Sequence, residues 1–120
     1  MYKVYFYKNK NGEYPILDYI NELKKKTDKS SRIKAKKIND CICYLEQTGP
    51  NAREPYAKHL GGGIWELRPV RDRILYAAWE NNGYILLHNF QKSTQKTPKR
   101  EIQQAERNLS EFRKRGSSDD

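Results

Sequence analysis

Apolar and polar positions alternate from Tyr2 to Tyr7, with Tyr2, Val4 and Phe6 on one side, and a period of two predicts a strand. A turn follows over Asn9 to Gly12. Pro15 suits the first turn of a helix. Ile16, Ile20 and Leu23, widened by Leu17, give that helix its apolar stripe. Lys24, Lys25 and Lys26 close it and complement its C-terminal dipole. A second helix, capped by Asp28, Ser30 or Ser31, buries Ile38, Cys41, Ile42 and Leu45, with Ile33 a turn or so earlier, and stops at Gly49-Pro50. Asn51 to Gly63 reads as polar and turn-rich, and Gly61–Gly63 must flex or bend tightly where the chain leads into a sheet.

The pattern then returns to short alternations. From Ile64 to Pro69, Trp65 and Leu67 point one way while Glu66 and Arg68 point the other. Val70 to Asp72 turns the chain, Arg73 to Glu80 is a strand, Asn81-Asn82-Gly83 is a hairpin signal, and Tyr84 to Phe90 is the third strand of a meander. Gln91 to Lys96 is a polar loop. Thr97-Pro98 reads as an N-cap followed by proline at the first helical position, and Ile102, Ala105, Leu109 and Phe112 form the stripe of a last helix. The order is strand, helical hairpin, antiparallel β-meander, C-terminal helix. It predicts an α+β fold with helices on one face of a mostly antiparallel sheet. No internal repeat or linker is visible, so residues 1–115 are expected to form one domain, with 116–120 a disordered tail.

Charge narrows the function. The chain has 120 residues, 24 Lys and Arg against 15 Asp and Glu, and a net charge of +9. Asp119 and Asp120, at the end of the polar tail, leave the rest more basic still. A balance this far from zero favours a polyanionic partner, nucleic acid first, over a surface charged only for solubility. Cys41 and Cys43, two apart in a helical pattern, do not share a face, and the two histidines are distant in sequence, so no four-ligand zinc site is expected and both thiols read as reduced. Met1 leads straight into a strand pattern and no run approaches the ~20 apolar residues of a membrane span, so a cytoplasmic protein without a signal peptide or membrane contact is expected.

The meander carries the candidate chemistry. Glu66, Arg68, Arg73, His88, Lys92 and Lys96 recur among its apolar residues. Cations grouped around a proton acceptor suit a phosphate that is held and attacked. Metal-free RNA cleavage turns the ribose 2′-hydroxyl against its own 3′-phosphate. That step needs cations for the phosphorane charge, a base for the hydroxyl and an acid for the leaving 5′-oxygen.

Several short motifs also resemble one family. Leu60 and the Gly61–Gly63 run, Trp65-Glu66-Leu67-Arg68, Arg73 with Tyr76, Leu87 through Lys92, Lys96-Thr97-Pro98, and Ala105 with Arg107 together look like a RelE-superfamily toxin of the phage-derived HigB branch. The resemblance spans nearly the whole chain. It implies a RelE-like fold, a ribosome-dependent endoribonuclease that cuts translated mRNA without metal or cofactor, and a HigA-like helix-turn-helix antitoxin as partner. The 70S ribosome and mRNA would be its targets, and operator DNA would be met only through the antitoxin. Where family members often carry two adjacent lysines after the phenylalanine, this chain has Lys92-Ser93.

On that reading the catalytic candidates are Arg73, Arg68, Lys92, Glu66 and His88. Arg73 matches the family's phosphate-binding arginine, and as the opener of a strand it is expected to offer its fork at the surface, with little core volume lost on truncation. Arg68 is a second clamp, and Lys92 an acid for the leaving oxygen or a further charge stabiliser. Glu66 is a base or, preferably, the orienter of Arg68 or Arg73. His88 and His59 are a secondary acid/base pair. Lys96, Lys58, His59, Lys36 and Lys37 are assigned to RNA binding, with Lys34 beside them, and Tyr5, Tyr7 and Tyr84 are candidate base-stacking platforms. Two other readings stay open: a ParE-like gyrase inhibitor, and a basic nucleic-acid-binding module without catalysis. If phosphates dominate the contact, RNA or ribosome affinity measured across a salt titration should fall steeply, by a log–log slope of roughly 0.7 to 0.9 per phosphate neutralised.

Overall fold

A computed structural model describes residues 1–115; the tail expected at Gly116–Asp120 lies outside the described residues. Strand β1 spans Lys3–Phe6, helix α1 Pro15–Lys25, helix α2 Lys29–Thr48, with a short 3-10 turn at Gly49–Asn51. Strands β2 (Ala57–Gly61), β3 (Ile64–Leu67), β4 (Asp72–Ala78) and β5 (Gly83–Gln91) follow, and helix α3 covers Lys99–Arg115. The sheet order is β1-β5-β4-β3-β2, antiparallel throughout except for the parallel β1–β5 pair. This is the α+β, RelE-like arrangement.

Local signals account for most boundaries. Pro15 opens α1, and Lys24 and Lys25 sit in its last turn. Asp28 caps α2, its carboxylate accepting from the Ser31 amide at 2.9 Å. Asn82, at φ 58°, turns the chain back into β5, and the Trp79 amide donates to the Gly83 carbonyl at 2.8 Å. Pro98 is the residue before α3 rather than its first: its carbonyl accepts from the amides of Glu101 and Ile102. Thr97 therefore does not cap this helix, and its hydroxyl goes elsewhere.

Three expectations are corrected. The polar segment 51–63 contains β2, a five-residue edge strand that pairs with β3 through a hairpin turning at Gly61 (φ 110°) and Gly62 (φ 58°). The helices do not share a face. Helices α1 and α2 lay Ile16, Ile20, Leu23, Ile38 and Leu45 on Leu67, Ile74, Tyr76 and Leu86, whereas α3 lays Ala105 and Leu109 on Ile64, Leu75, Ala77, Ile85 and Leu87 of the opposite side. Ile33 is not in the buried stripe but half exposed.

Burial on both faces explains why β4 and β5 read as apolar runs instead of clean alternations. A bulge fixes how β5 meets α3. Leu75 faces His88 and Tyr76 faces Leu86, so Leu87 is the extra residue and both Leu87 and His88 serve the α3 side. Tyr5, Tyr7 and Tyr84 are packing residues: Tyr7 is buried against Phe112 and donates its hydroxyl to Glu111, and Tyr84 packs edge-on to Tyr2 and Tyr76. Burial and Glu111 push the Tyr7 phenol up to about 12. Among the described residues no helix is long and apolar enough to cross a membrane.

The start of the chain is clamped at the end of α2. The Tyr2 amide donates to the Glu46 carbonyl at 2.8 Å, and the Tyr2 ring occupies the space a Cβ on Gly49 would need. Gly49 also sits at φ 52°. Gly49→Ala should therefore cost about 1–3 kcal/mol, from overpacking and backbone strain together, read as a lowered denaturant midpoint without a change of slope.

Candidate functional site

The α3 face of the sheet holds a corner that the helix does not cover. On β3 and β4, Glu66 faces Leu75 across the strand pair, and Arg73 lies two residues before Leu75 on the same side. Long side chains bridge such diagonals. Arg73 Nε stands 3.4 Å from Glu66 Oε1, and both side chains are almost wholly buried, at 7% and 2% exposure. Arg73 Nη1 also donates to the carbonyls of Val70 at 2.9 Å and Asp72 at 2.8 Å. The Thr97 hydroxyl lies 2.9 Å from both Glu66 oxygens. The carboxylate thus holds an arginine on one side and a loop on the other.

That loop runs from Lys92 to Pro98. Its first amide, Lys92 N–H, donates to the Arg71 carbonyl at 2.7 Å, and Thr94 closes a turn onto the Lys96 carbonyl at 2.7 Å. Between loop and sheet lies an open cavity of about 450 Å³ lined by Val70, Arg71, Arg73 and the segment Lys92–Gln95. A narrower cleft continues from it past Phe90, Lys96 and Thr97. Among the described residues, three cations and no carboxylate line the larger cavity. Burial holds the Arg73 guanidinium below its ordinary pKa, Glu66 pulls it back up, and Arg68 adds to the depression. The group stays charged, since guanidinium is not deprotonated in proteins.

The structure brings together Arg73, Glu66, Lys92 and Lys96, with Lys58 opposite Glu66 on the edge strand β2. The others part company. Glu66 and Arg68 do not share an outward face, because β3 ends at Leu67 and Arg68 leaves the strand geometry. Arg68 pairs with Glu54 at 3.4 Å and lines a groove beside α2 with Lys37. Lys36 is ion-paired with Asp40 at 3.1 Å on the exposed side of α2. His59 lies on the other face of the sheet, its ring 4.6 Å from that of Trp65. His88 Nε2 is 2.6 Å from Glu101 Oε1, so this pair fastens β5 to α3. Neither histidine lines the Arg73 cavity.

Arg73 itself departs from the expected surface position. It is interior, and removing its head would leave Glu66 buried beside Thr97 alone. Breaking a buried pair from one side typically costs about 3–5 kcal/mol. Two participants were not anticipated: Arg71, which joins the cavity wall, and Thr97, taken for a helix cap. A Thr-Pro before a helix gives no sign that the hydroxyl turns to a carboxylate 31 residues back. Asp72 also has a structural task, accepting from the Tyr19 hydroxyl of α1 at 2.8 Å. Among the described residues no group of three or more His, Cys, Asp or Glu side chains is placed to hold a metal ion. Cys41 is buried and its thiol is pushed up to about 11 by burial first, then by Asp40.

Residues 18–110 match the family described as Phage derived protein Gp49-like, a RelE-like, toxin-like family, and the chain belongs to it. No curated protein matches the chain.

The Thr97 bridge predicts its own test. Thr97→Val keeps the shape but removes the hydroxyl from a buried acceptor, which should cost about 1–3 kcal/mol. Amide exchange of residues 92–97 should speed up while that of β4 and β5 stays slow.

Proposed function

We propose that this protein is a ribosome-dependent endoribonuclease toxin of the HigB branch, which cuts mRNA without a metal. The observation that carries the proposal is the cavity walled by Arg71, Arg73 and Lys92, with Arg73 fixed from behind by Glu66 and two backbone carbonyls. A scissile phosphate held there meets cations whose positions are set before it arrives, which is the arrangement that stabilises developing charge. The 2′-hydroxyl oxygen bonds to phosphorus as its proton passes to solvent water, the bond to the 5′-oxygen breaks, and the products are a 2′,3′-cyclic phosphate and a free 5′-hydroxyl. Lys92, at the mouth on the loop, protonates the leaving oxygen. Lys96 and Lys58 extend the cationic surface along the RNA backbone, with Lys37 and Arg68 farther off on the α2 side.

Glu66 acts as the orienter of Arg73 and not as the base, because Thr97 and Arg73 already occupy both of its oxygens. His88, engaged by Glu101, and His59, on the far face, stand apart from the reaction. Charge stabilisation by positioned cations is then the main contribution of the protein. The working place of such a toxin is the 70S ribosome in the cytoplasm, and its neutralising partner is a HigA-like helix-turn-helix antitoxin that carries operator binding for the pair.

Lys92→Ala is the cleanest test, since this side chain is only partly buried and makes no ion pair among the described residues. It should lower cleavage of translated mRNA about 100- to 1000-fold with the thermal midpoint unchanged. Arg73→Lys should keep the charge beside Glu66, retain most of the stability, and still lose much of the activity, because an ammonium cannot replace the planar fork. Arg73→Ala should lose activity and several kcal/mol together. His88→Ala should be milder in activity. The measurement is 5′-end sequencing of mRNA from translating ribosomes, paired with thermal melts. Full cleavage by the Lys92 and Arg73→Lys variants, or relaxed plasmid DNA with intact mRNA, would overturn the nuclease reading.

A further inference from the structure

Most tyrosines of this protein are taken up by packing, but one ring stays open next to the Arg73 cavity. Among the described tyrosines Tyr56 is the most exposed, at 51%. It lines a groove of about 560 Å³ between α2 and the end of β3, together with Tyr44, Lys37 and Arg68. Val70 lines both this groove and the Arg73 cavity, so the two meet at one residue. The open ring is nevertheless held in place. The Tyr56 amide donates to the Arg53 carbonyl at 3.0 Å, and the Tyr56 carbonyl accepts from the Arg68 amide at 2.9 Å. Tyr44 backs the ring at 4.9 Å between centroids and 50° between planes, and its own hydroxyl accepts from the Arg53 amide at 3.0 Å.

We propose that Tyr56 is a stacking platform for an unpaired base of the RNA strand whose scissile phosphate sits at Arg73, with Arg68 and Lys37 holding a phosphate next to that base. An aromatic ring beside cations is how proteins hold unpaired bases, the ring taking the base and the cations its backbone. Both cations reach a phosphate at little cost. Lys37 is exposed, and Arg68 gives up only an ion pair at 3.4 Å to Glu54, whose carboxylate is itself 64% exposed. Asp40, the carboxylate of the lining, is paired with Lys36 at 3.1 Å. Continuity with the cavity selects RNA over an acidic peptide. Arg68 lies near enough to Arg73 for its charge to lower the pKa of that guanidinium, so one polyanionic strand passing Val70 relieves both.

The platform rests on the nuclease reading for the phosphate at Arg73, but its readout is stacking rather than cleavage. The probe is a short 2′-O-methyl oligoadenylate, which has no free 2′-hydroxyl and cannot be cut, carrying one 2-aminopurine at each position in turn. Titrated against the full chain, the probe labelled at the stacked position should lose fluorescence. Tyr56→Leu should weaken binding about fivefold to a hundredfold and abolish that quenching, with a thermal midpoint close to the parent's, whereas Tyr56→Phe keeps the ring and should bind as the parent does. Arg68→Gln should instead lower the log–log salt slope by about 0.7, the share of one phosphate on a single strand, and leave quenching at saturation unchanged. Quenching lost in Tyr56→Leu and kept in Tyr56→Phe supports the platform even if the parent leaves translated mRNA intact, in which case the nuclease reading alone fails. Quenching absent in the parent, or equal in Tyr56→Leu, overturns the platform and leaves the nuclease reading standing. Weaker binding of the adjacent reading frame's product by Tyr56→Leu, with the oligonucleotide signal intact, overturns it too and makes the groove a protein surface.

Discussion

Much of the α3 side of this molecule depends on one buried ion pair. Glu66 and Arg73 lie on neighbouring strands with both side chains almost wholly buried. An isolated charge at that depth would be forbidding, so each is tolerable only because of the other and of the added hydrogen bonds from Thr97 and to the Val70 and Asp72 carbonyls. Such a pair contributes little net stability compared with apolar residues of the same size. Its consequence is geometric. One carboxylate fixes the direction of the guanidinium, the turn that precedes β4, and the loop that leads into α3.

The position of that pair follows from the way the sheet is covered. Helices α1 and α2 close one face. On the other, α3 covers Leu75, Ala77, Ile85 and Leu87, and it is fastened by Glu101 to His88, by Asn108 to the Leu87 carbonyl, by Glu111 to the Tyr7 hydroxyl, and by Arg115 to the Lys8 carbonyl. Glu66, Arg73 and Phe90 lie where the loop 92–98 closes over the sheet. A loop can open where a helix cannot, so a corner of the sheet covered by a loop is also where cations collect.

Strongly periodic elements were legible in the sequence. The stripes of α1 and α3, that of α2 from Ile38 on, and the Asn81–Gly83 hairpin stand where the pattern puts them. Strand β2 was not legible because only Ala57 of its five residues is buried, and an exposed edge strand leaves no alternation to read. The side taken by α3 could not come from its own stripe, which is apolar toward any surface; the sign lay in β4, where Ile74 to Ala77 is apolar at every position. The site was half legible. Arg73 and Lys92 stood out as cations among apolar residues, but the interior place of Arg73 depends on a partner one strand away. Arg68 was misjudged because alternation holds only as far as the strand does, and β3 ends one residue before it.

The cations of this corner are arranged against their own convenience. Arg68 makes Arg73 harder to keep charged, and Arg71 and Lys92 bring further positive charge to the same cavity wall. Of the carboxylates that relieve Arg73, Glu66 is turned inward, its oxygens taken by Arg73 and Thr97, and Asp72 is engaged by the Tyr19 hydroxyl. A fold selected for stability alone would place an acid in that cavity or withdraw a cation from it. Left as it is, the repulsion is relieved by whatever anion enters, and the relief is greatest for the species with the most negative charge. In phosphoryl transfer that species is the phosphorane and not the diester, so the strain of assembling the cations is returned where the barrier is highest.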